Sequence, residues 1–535
     1  MGDTLRSSGR LSLAVAASRV LGLARDAIFA SLFGSGIVAD AYHVAYRIPN
    51  LLRDLFAEGA LSSAFVPTFT STLVSGDRQA AHRLGNLVVA GVLVSTGTIV
   101  ALGVIFAEQL VDAIAAGFVG SGDAASKLEL ATLLTRILLP MLSLVSLSAV
   151  WMGMLNAQRK FMVPAFAPAV FNLASLAVGL SLLAAGMSIE RAILAWSAGT
   201  VGAGVCQAGF QLPLLWRLGY RPWPRLRGIG SHPGVRRILT LMGPAIFGLA
   251  AVQINLFVNT RFAGQLGDGP LSQLSYAFRL FYLPVGLFSV ALATVTTTRV
   301  SEDAARNDRA ALLNSTAEGT RAVWMLMMGS AVGLFVLADP IIEIVYERGA
   351  FGRVETLATA AVLRGYAVAL VPYGLVKILA PVFYGLERPR IPLWGSLAAV
   401  AVNLTFNALT YRQLGAPGLA LGTGLGAMAN YAVLRVGLRR VVGPLPGRWR
   451  HAGALLLSNA ALGAAAWGWW YGVVEPVLAS DQVPRSVVVP VGLAVIVAGG
   501  FWAYTAGLSW LSYPDAKVLA TLPGRMWAKL TGRPR

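Results

Sequence analysis

Arg19, Arg25, Asp26, Asp40, Arg47, Arg53, Asp54 and Glu58 crowd into a stretch, residues 18–67, that is otherwise apolar enough for two membrane-crossing helices. An arginine at the centre of a spanning helix costs roughly 2.5–3.5 kcal/mol even on a lenient insertion scale, so four of them facing lipid would cost on the order of 10 kcal/mol or more. Such residues persist only where they face a water-filled cavity or an opposite charge. With Arg279 counted among them, the set stays slightly positive even if every acid is matched. Arginine's planar fork donates to two oxygens in parallel and never deprotonates. The chemistry this predicts is the binding of an anionic, phosphate-bearing guest in a cationic chamber.

Structural ion pairing is the competing reading for the acids. On an unbroken helix Arg19 and Asp26 are seven residues apart and share a face, as do Asp40 and Arg47. Arg25 and Arg53 are left without an equally obvious partner. No GxxxxGK[ST] run, HExxH motif, cysteine cluster or Ser/His/acid set in a soluble domain is present. The reading is therefore not an enzyme, with no cofactor and no metal.

Residues of this kind need a membrane bundle to position them, and composition supplies one. The chain has 535 residues, is 56% hydrophobic and 13% charged, and has a mean hydropathy of +0.67, far from the roughly 25% charged of a soluble domain. Apolar runs long enough to span about 30 Å fall at 11–33, 38–74, 85–115, 128–155, 163–185, 190–215, 237–262, 271–298, 320–346, 356–386, 391–411, 416–438, 451–473 and 487–511. This predicts an all-α polytopic membrane protein of about fourteen helices. The first run contains Arg19, Arg25 and Asp26 and is read as a retained span rather than a cleaved signal. The second would reach roughly 54 Å as one helix, so it must kink, tilt or project, and Pro49 supplies a cause for a kink. Gly22, Gly34 and Gly36 around the first run are candidate hinges.

The net charge of +19 could suggest nucleic acid, but the basic residues lie in short clusters between apolar runs. That is a topology signal. Arg6, Arg10, Arg78, Arg83, Arg159, Lys160, the cluster from Arg217 to Arg237, and the basic tail fall on one side, and few residues, among them Lys127 and Arg348, on the other. Both termini are expected in the cytoplasm. The single cysteine, Cys206, lies in an apolar run and reads as a packed thiol.

A weak internal repeat relates Tyr42, Ala45, Tyr46 and Arg47 to Tyr276, Ala277, Phe278 and Arg279, and the run ending at Pro164 to that ending at Pro392. It predicts an N-terminal lobe at 1–216, a cytoplasmic linker at 217–236, a second six-helix lobe at 237–441 and two further helices with a basic tail at 442–535. A second polar set, Asn259, Asn403, Asn407 and Thr423, is neutral throughout, which suits interhelical amide hydrogen bonding better than a cation site. Arg136, Arg261, Arg364 and Lys377 either snorkel or line the second lobe. His43 reads as a packed residue, and Trp467, Trp469, Trp470, Trp502 and Trp510 as interfacial belts.

SRVLGLARD, ADAYHVAYRIPNLLRDLFAEGALSSAFVP and YAFRLFYLPVGLFSVALAT resemble the signature segments of the MurJ/MviN family, bacterial flippases of the lipid-linked peptidoglycan precursor lipid II. The resemblance implies the fold of the multidrug/oligosaccharidyl-lipid/polysaccharide exporters: two six-helix lobes in a V, with two C-terminal helices forming a groove for the lipid tail. By motif match it implies a central-cavity role for Arg19, Arg25, Arg53 and Arg279, and supporting or gating roles for Asp26, Asp40 and Glu58. Asp54 and Phe278 depart from the family pattern. The partners implied are lipid II, membrane lipids and the cell-wall synthesis machinery, with no nucleic acid, at the bacterial inner membrane. The alternatives are export of another lipid-linked saccharide, cation-coupled drug export, or a scaffold of cell-envelope assembly.

Overall fold

The computed structural model describes residues 2–54, 61–75, 78–306, 308–446, 449–480, 482–514 and 516. Among these the chain is helical, without a strand beyond one isolated bridge between Arg348 and Phe351. Two compact units form, the first from Met1–Ser275 with Arg348–Glu355 and the second from Tyr276–Glu347 with Thr356–Arg535.

The first unit contains α1 (Gly2–Phe33), α2 (Ile37–Arg53), α3 (Ser62–Val74), α4 (Arg78–Ile105), α5 (Ala107–Ala115), α6 (Ala124–Leu138), α7 (Met141–Ala157), α8 (Met162–Ala185), α9 (Ile189–Gly209), α10 (Leu212–Arg217) and α11 (Pro233–Ala263). It also holds the first turn of α12 (Pro270–Pro284). Its core gathers Phe65, Phe69, Leu84, Trp151, Met154 and Tyr220 from α3, α4, α7 and the segment after α10. Aspartate at the N-cap starts α6, where Asp123 accepts from the Ser126 amide at 3.2 Å. Of the second expected span, α2 runs as α-helix through Pro49 to Arg53, and α3 covers Ser62–Val74.

The second unit continues α12 through a π-helical turn at Val285–Ser289 into α13 (Val290–Ala305). There follow α14 (Arg309–Val336), α15 (Ala338–Tyr346), α16 (Arg353–Ala367), α17 (Leu370–Gly385), α18 (Arg390–Val441), α19 (Trp449–Trp469), α20 (Glu475–Ala479) and α21 (Arg485–Trp510). α18 is two helices meeting at a kink, where Gly415 has φ 59° and ψ −149°; the expected boundary between 411 and 416 falls there. Val300, Leu312, Leu379, Phe383 and Leu434 make one core of this unit. Met325, Leu455, Tyr504 and Leu508 make another, which packs α19 and α21 against α14.

Eight helices among the described residues are long and apolar enough to cross a membrane, or nine if α16 and α17, bent by 42°, form one span. α1 and α2 are not among the eight, α2 being only 17 residues long. The compact units divide inside α12, and α11 packs on α3, α4 and α5 of the first unit.

Candidate functional site

Packing of α1 against α8 fixes the best-defined arginine. Gly22 lets Asn172 of α8 come close; a Cβ there would lie 3.3 Å from Asn172 Nδ2. Asn172 donates to the Ser18 carbonyl at 2.9 Å and accepts from Arg25 Nη1 at 3.2 Å. Arg25 Nε and Nη2 both donate to Asp26 Oδ1, at 3.0 and 2.7 Å, and the guanidinium lies 5.7 Å from the centre of the Phe171 ring. The side chains of Arg25 and Asp26 are 12% and 16% exposed. Arg25, expected to lack a partner, thus pairs with its neighbour. Shared-face reasoning assigned Asp26 to Arg19, but seven residues is roughly 10.5 Å of helix rise, while a long arginine can fold back onto the adjacent acid. Arg19 is half-buried on α1 and has no ion pair among the described residues.

Asp40 follows a different logic from the one expected. It does not pair with Arg47; fully buried in the first turn of α2, it binds Lys127 Nζ of α6 at 3.0 Å. Its Oδ2 also accepts from the Gly269 amide at 2.8 Å, and its Oδ1 from the Ser272 amide and hydroxyl, each at 2.8 Å. The carboxylate therefore satisfies main-chain donors that the start of α12 leaves without helical partners, at the positive end of that helix. Lys127 in turn reaches Asp268 Oδ1 at 2.9 Å and the Gly267 carbonyl at 3.2 Å, and lies 4.8 Å from the centre of the Phe118 ring. Ser121 donates to Asp268 at 2.6 Å. Burial works to raise the Asp268 carboxyl, but hydrogen bonds from Ser121 and Lys127, with the lysine's charge, hold it below the usual carboxylate range.

Main-chain contacts lie near this network. Gly34, φ 64°, ends α1 where a Cβ would meet the Ala350 carbonyl at 2.6 Å, and the Ala350 amide donates to the Ser31 carbonyl at 2.9 Å. Gly349, φ 57°, would place a Cβ 2.3 Å from the Ser31 oxygen. Cβ atoms at Gly120 and Gly264 would each meet a carbonyl, of Gln265 and of Ala115, at 2.2 Å.

The remaining candidates are distributed between the two units. Arg47 donates to Thr260 Oγ1 of α11 at 2.9 Å. Arg53, also expected to lack a partner, pairs with Asp54 at 2.7 Å. Arg279 is half-buried on the part of α12 that belongs to the second unit, between Phe278 and the tightly packed Phe281. Glu58 lies outside the described residues.

The family profile described as "Lipid II flippase MurJ" matches residues 29–486. The chain belongs to the MurJ lipid II flippase family. It is 33% identical over 498 residues to the lipid II flippase MurJ of Burkholderia cenocepacia, covering 91% of this chain and 94% of that protein. To the probable lipid II flippase MurJ of Vibrio cholerae it is 35% identical over 443 residues, covering 81% and 82%. A solved MurJ structure in an inward closed conformation is similar in fold, with TM-score 0.77 and 24% identity over 94% of this chain and 99% of that one. An inward-facing MATE multidrug transporter shares the fold at TM-score 0.63 and 16% identity, over 79% and 94%.

Against that family background, Lys127 is the residue that sequence reasoning missed. It was read as a charge of a connecting segment, and the available signal was a lone lysine opening the apolar run 128–155. Asn403 and Asn407 are buried and bond to each other at 3.3 Å within one arm of α18, and Thr423 bonds to the Leu419 carbonyl of its own helix. Asn259 bonds to Asn255 at 3.2 Å in the first unit. Arg364 forms an ion pair with Asp339 at 2.6 Å, and Lys377 lies 5.7 Å from the centre of the Tyr373 ring. Arg136 and Arg261 bond to the Val104 and Ala113 carbonyls. His43 packs edge-on to Phe29, and Cys206, expected to be packed, is exposed. In the connector, Asn86 of α4 accepts from the Tyr220 hydroxyl at 2.7 Å and from the Trp223 amide at 3.0 Å.

Proposed function

We propose that this chain carries lipid II from the cytoplasmic to the periplasmic leaflet of the bacterial inner membrane by alternating access, for cell-wall synthesis. Membership of the MurJ family carries this reading, and the anchored arginine of α1 gives it a chemical basis. Arg25 is held by Asp26 and Asn172 in a site of low exposure, where a charge-assisted hydrogen bond to an oxyanion is worth about 1.5–3 kcal/mol. Arg19, Arg53 and Arg279 complete the set that receives the pyrophosphate. Asp26 orients Arg25. Asp40, with Lys127, holds the start of α12 and acts as a gate, and Glu58 is a second gating acid. The two lobes follow the sequence repeat, the polyprenyl tail stays in lipid or in a groove of α19 and α21, and both termini are cytoplasmic. The chain is a transporter without a catalytic step, and it works beside the cell-wall synthesis machinery.

The test is depletion of the chain in its host, with lipid II accessibility to an outside-acting probe compared between wild type, Arg25→Ala and Arg279→Ala. Loss of one arginine–phosphate contact is expected to lower headgroup affinity by roughly 10- to 100-fold. Accessible lipid II falls in the variants while total lipid II and protein abundance persist. Normal accessibility in both variants at normal abundance overturns the cavity assignment. Unchanged accessibility on depletion overturns the flippase reading itself.

A further inference from the structure

The far end of α18 holds a cationic recess that none of the lipid II chemistry above uses. Arg435, Val436, Arg439 and Pro444 line a space of about 230 Å³, smaller than a pocket for a whole drug-sized ligand and suited to a compact headgroup. Arg435 Nη1 is buried and has no hydrogen-bond partner among the described residues. Buried donors of this kind are nearly always satisfied in folded proteins. The segment that closes the recess is fixed from α14, because Arg309 Nε donates to the Val442 carbonyl. At Gly443, φ 131°, a Cβ would lie 3.8 Å from Arg309 Nη2, so a third guanidinium borders the same turn. From Tyr431 to Pro446 the sequence contains no acid, and on α13 and α14 Asp303 accepts from Ser315, Glu318 pairs with Arg299, and Asp308, beside Arg309, accepts from the Ala311 amide.

Basic residues in the last turn of a helix are ordinarily explained by its macrodipole. That accounts for Arg439 and Arg440, which are exposed at the end of α18. It does not account for Arg435, a turn deeper, whose Nη1 is buried without a hydrogen-bond partner among the described residues. We infer that this recess binds a phosphate group, with Arg435 and Arg439 as its two cationic walls and Val436 and Pro444 as its apolar ones. Two arginine forks on an acid-free lining select an oxyanion over a cationic or neutral ligand. The phosphate can belong to an anionic phospholipid or be free in solution.

The full-length protein is placed in phosphatidylcholine nanodiscs containing photoactivatable phosphatidylglycerol, and labelled peptides are mapped. In parallel, inorganic phosphate binding to detergent-solubilised protein is measured by calorimetry. Labelling within 431–446 that falls about tenfold or more in R435Q/R439Q, the factor one lost charge-assisted contact carries, and that resists millimolar phosphate assigns the site to lipid. Phosphate binding that is lost in the same variant assigns it to the free anion. The single variant R439Q, at an exposed position, carries the test if the double variant fails to fold, and R435K/R439K is expected to give intermediate binding because charge remains without the fork. Equal labelling in wild type and variants, with phosphate binding absent or unchanged by the substitutions, overturns the site.

Discussion

Replacing Lys127 with methionine keeps a long unbranched stem and deletes the ammonium that Asp40, Asp268 and the Gly267 carbonyl share. Breaking a buried pair from one side costs about 3–5 kcal/mol, since it leaves a charge uncompensated. Asp40 retains three donors from Gly269 and Ser272, each capable of offsetting part of that cost, so the lower end, about 3 kcal/mol, is the expected loss for Lys127→Met. Asp40→Asn leaves Lys127 with Asp268 and is expected to cost about 2–3 kcal/mol. The double variant should then lose less than the sum, with a coupling of about 2 kcal/mol. Equilibrium unfolding of the full chain in mixed micelles, followed by circular dichroism, supplies the cycle. Hydrogen exchange supplies a local readout, with the Gly269 and Ser272 amides exchanging roughly 30-fold faster per 2 kcal/mol lost. Lys127→Met within about 0.5 kcal/mol of wild type, the range of an ordinary surface change, or strictly additive costs, would refute a shared buried network.

Asp268, held below the usual carboxylate range in the folded chain, contributes stability that is present above its unfolded value of about 3.9 and lost as pH falls through the lower folded value. An acid titration of unfolding is expected to show that limb in wild type and a shallower one in Asp268→Asn. Gly349→Ala adds a left-handed penalty of about 1–2 kcal/mol to a clash with the Ser31 carbonyl; proteolysis near 348–352 should accelerate, and an unchanged rate would remove the close approach. Asn86→Ala strips the acceptor shared by Tyr220 and Trp223, at about 1 kcal/mol per bond, and exchange of the Trp223 amide should rise while that of core amides in α7 does not.

Much of the helical layout was legible because an apolar run leaves little choice of structure in a membrane. The unequal cases are instructive. The break between α1 and α2 was visible in Gly34 and Gly36, whereas Pro49, which offered a cause for a kink, sits within a continuous helix. Charge was legible as a total and not as a set of pairs. Helical periodicity ranks partners by direction, so it offered Arg19 for Asp26 and Arg47 for Asp40. The chain instead used a flexible arginine folded onto its neighbour and a lysine 87 residues away. No local pattern encodes the second, since Lys127 and Asp40 meet only after α6 packs on α2.

Gly34, Gly120, Gly264 and Gly349 have a joint consequence for how this protein tolerates change. Each touches a carbonyl at a distance no Cβ could occupy, so these contacts consist of peptide groups and owe nothing to side-chain identity. In a saturation scan this rim would read as four positions where alanine is already too large, beside neighbours such as Val119 whose exposed side chains accept most replacements. Natural sequences could therefore drift widely in these turns while the glycines stay fixed.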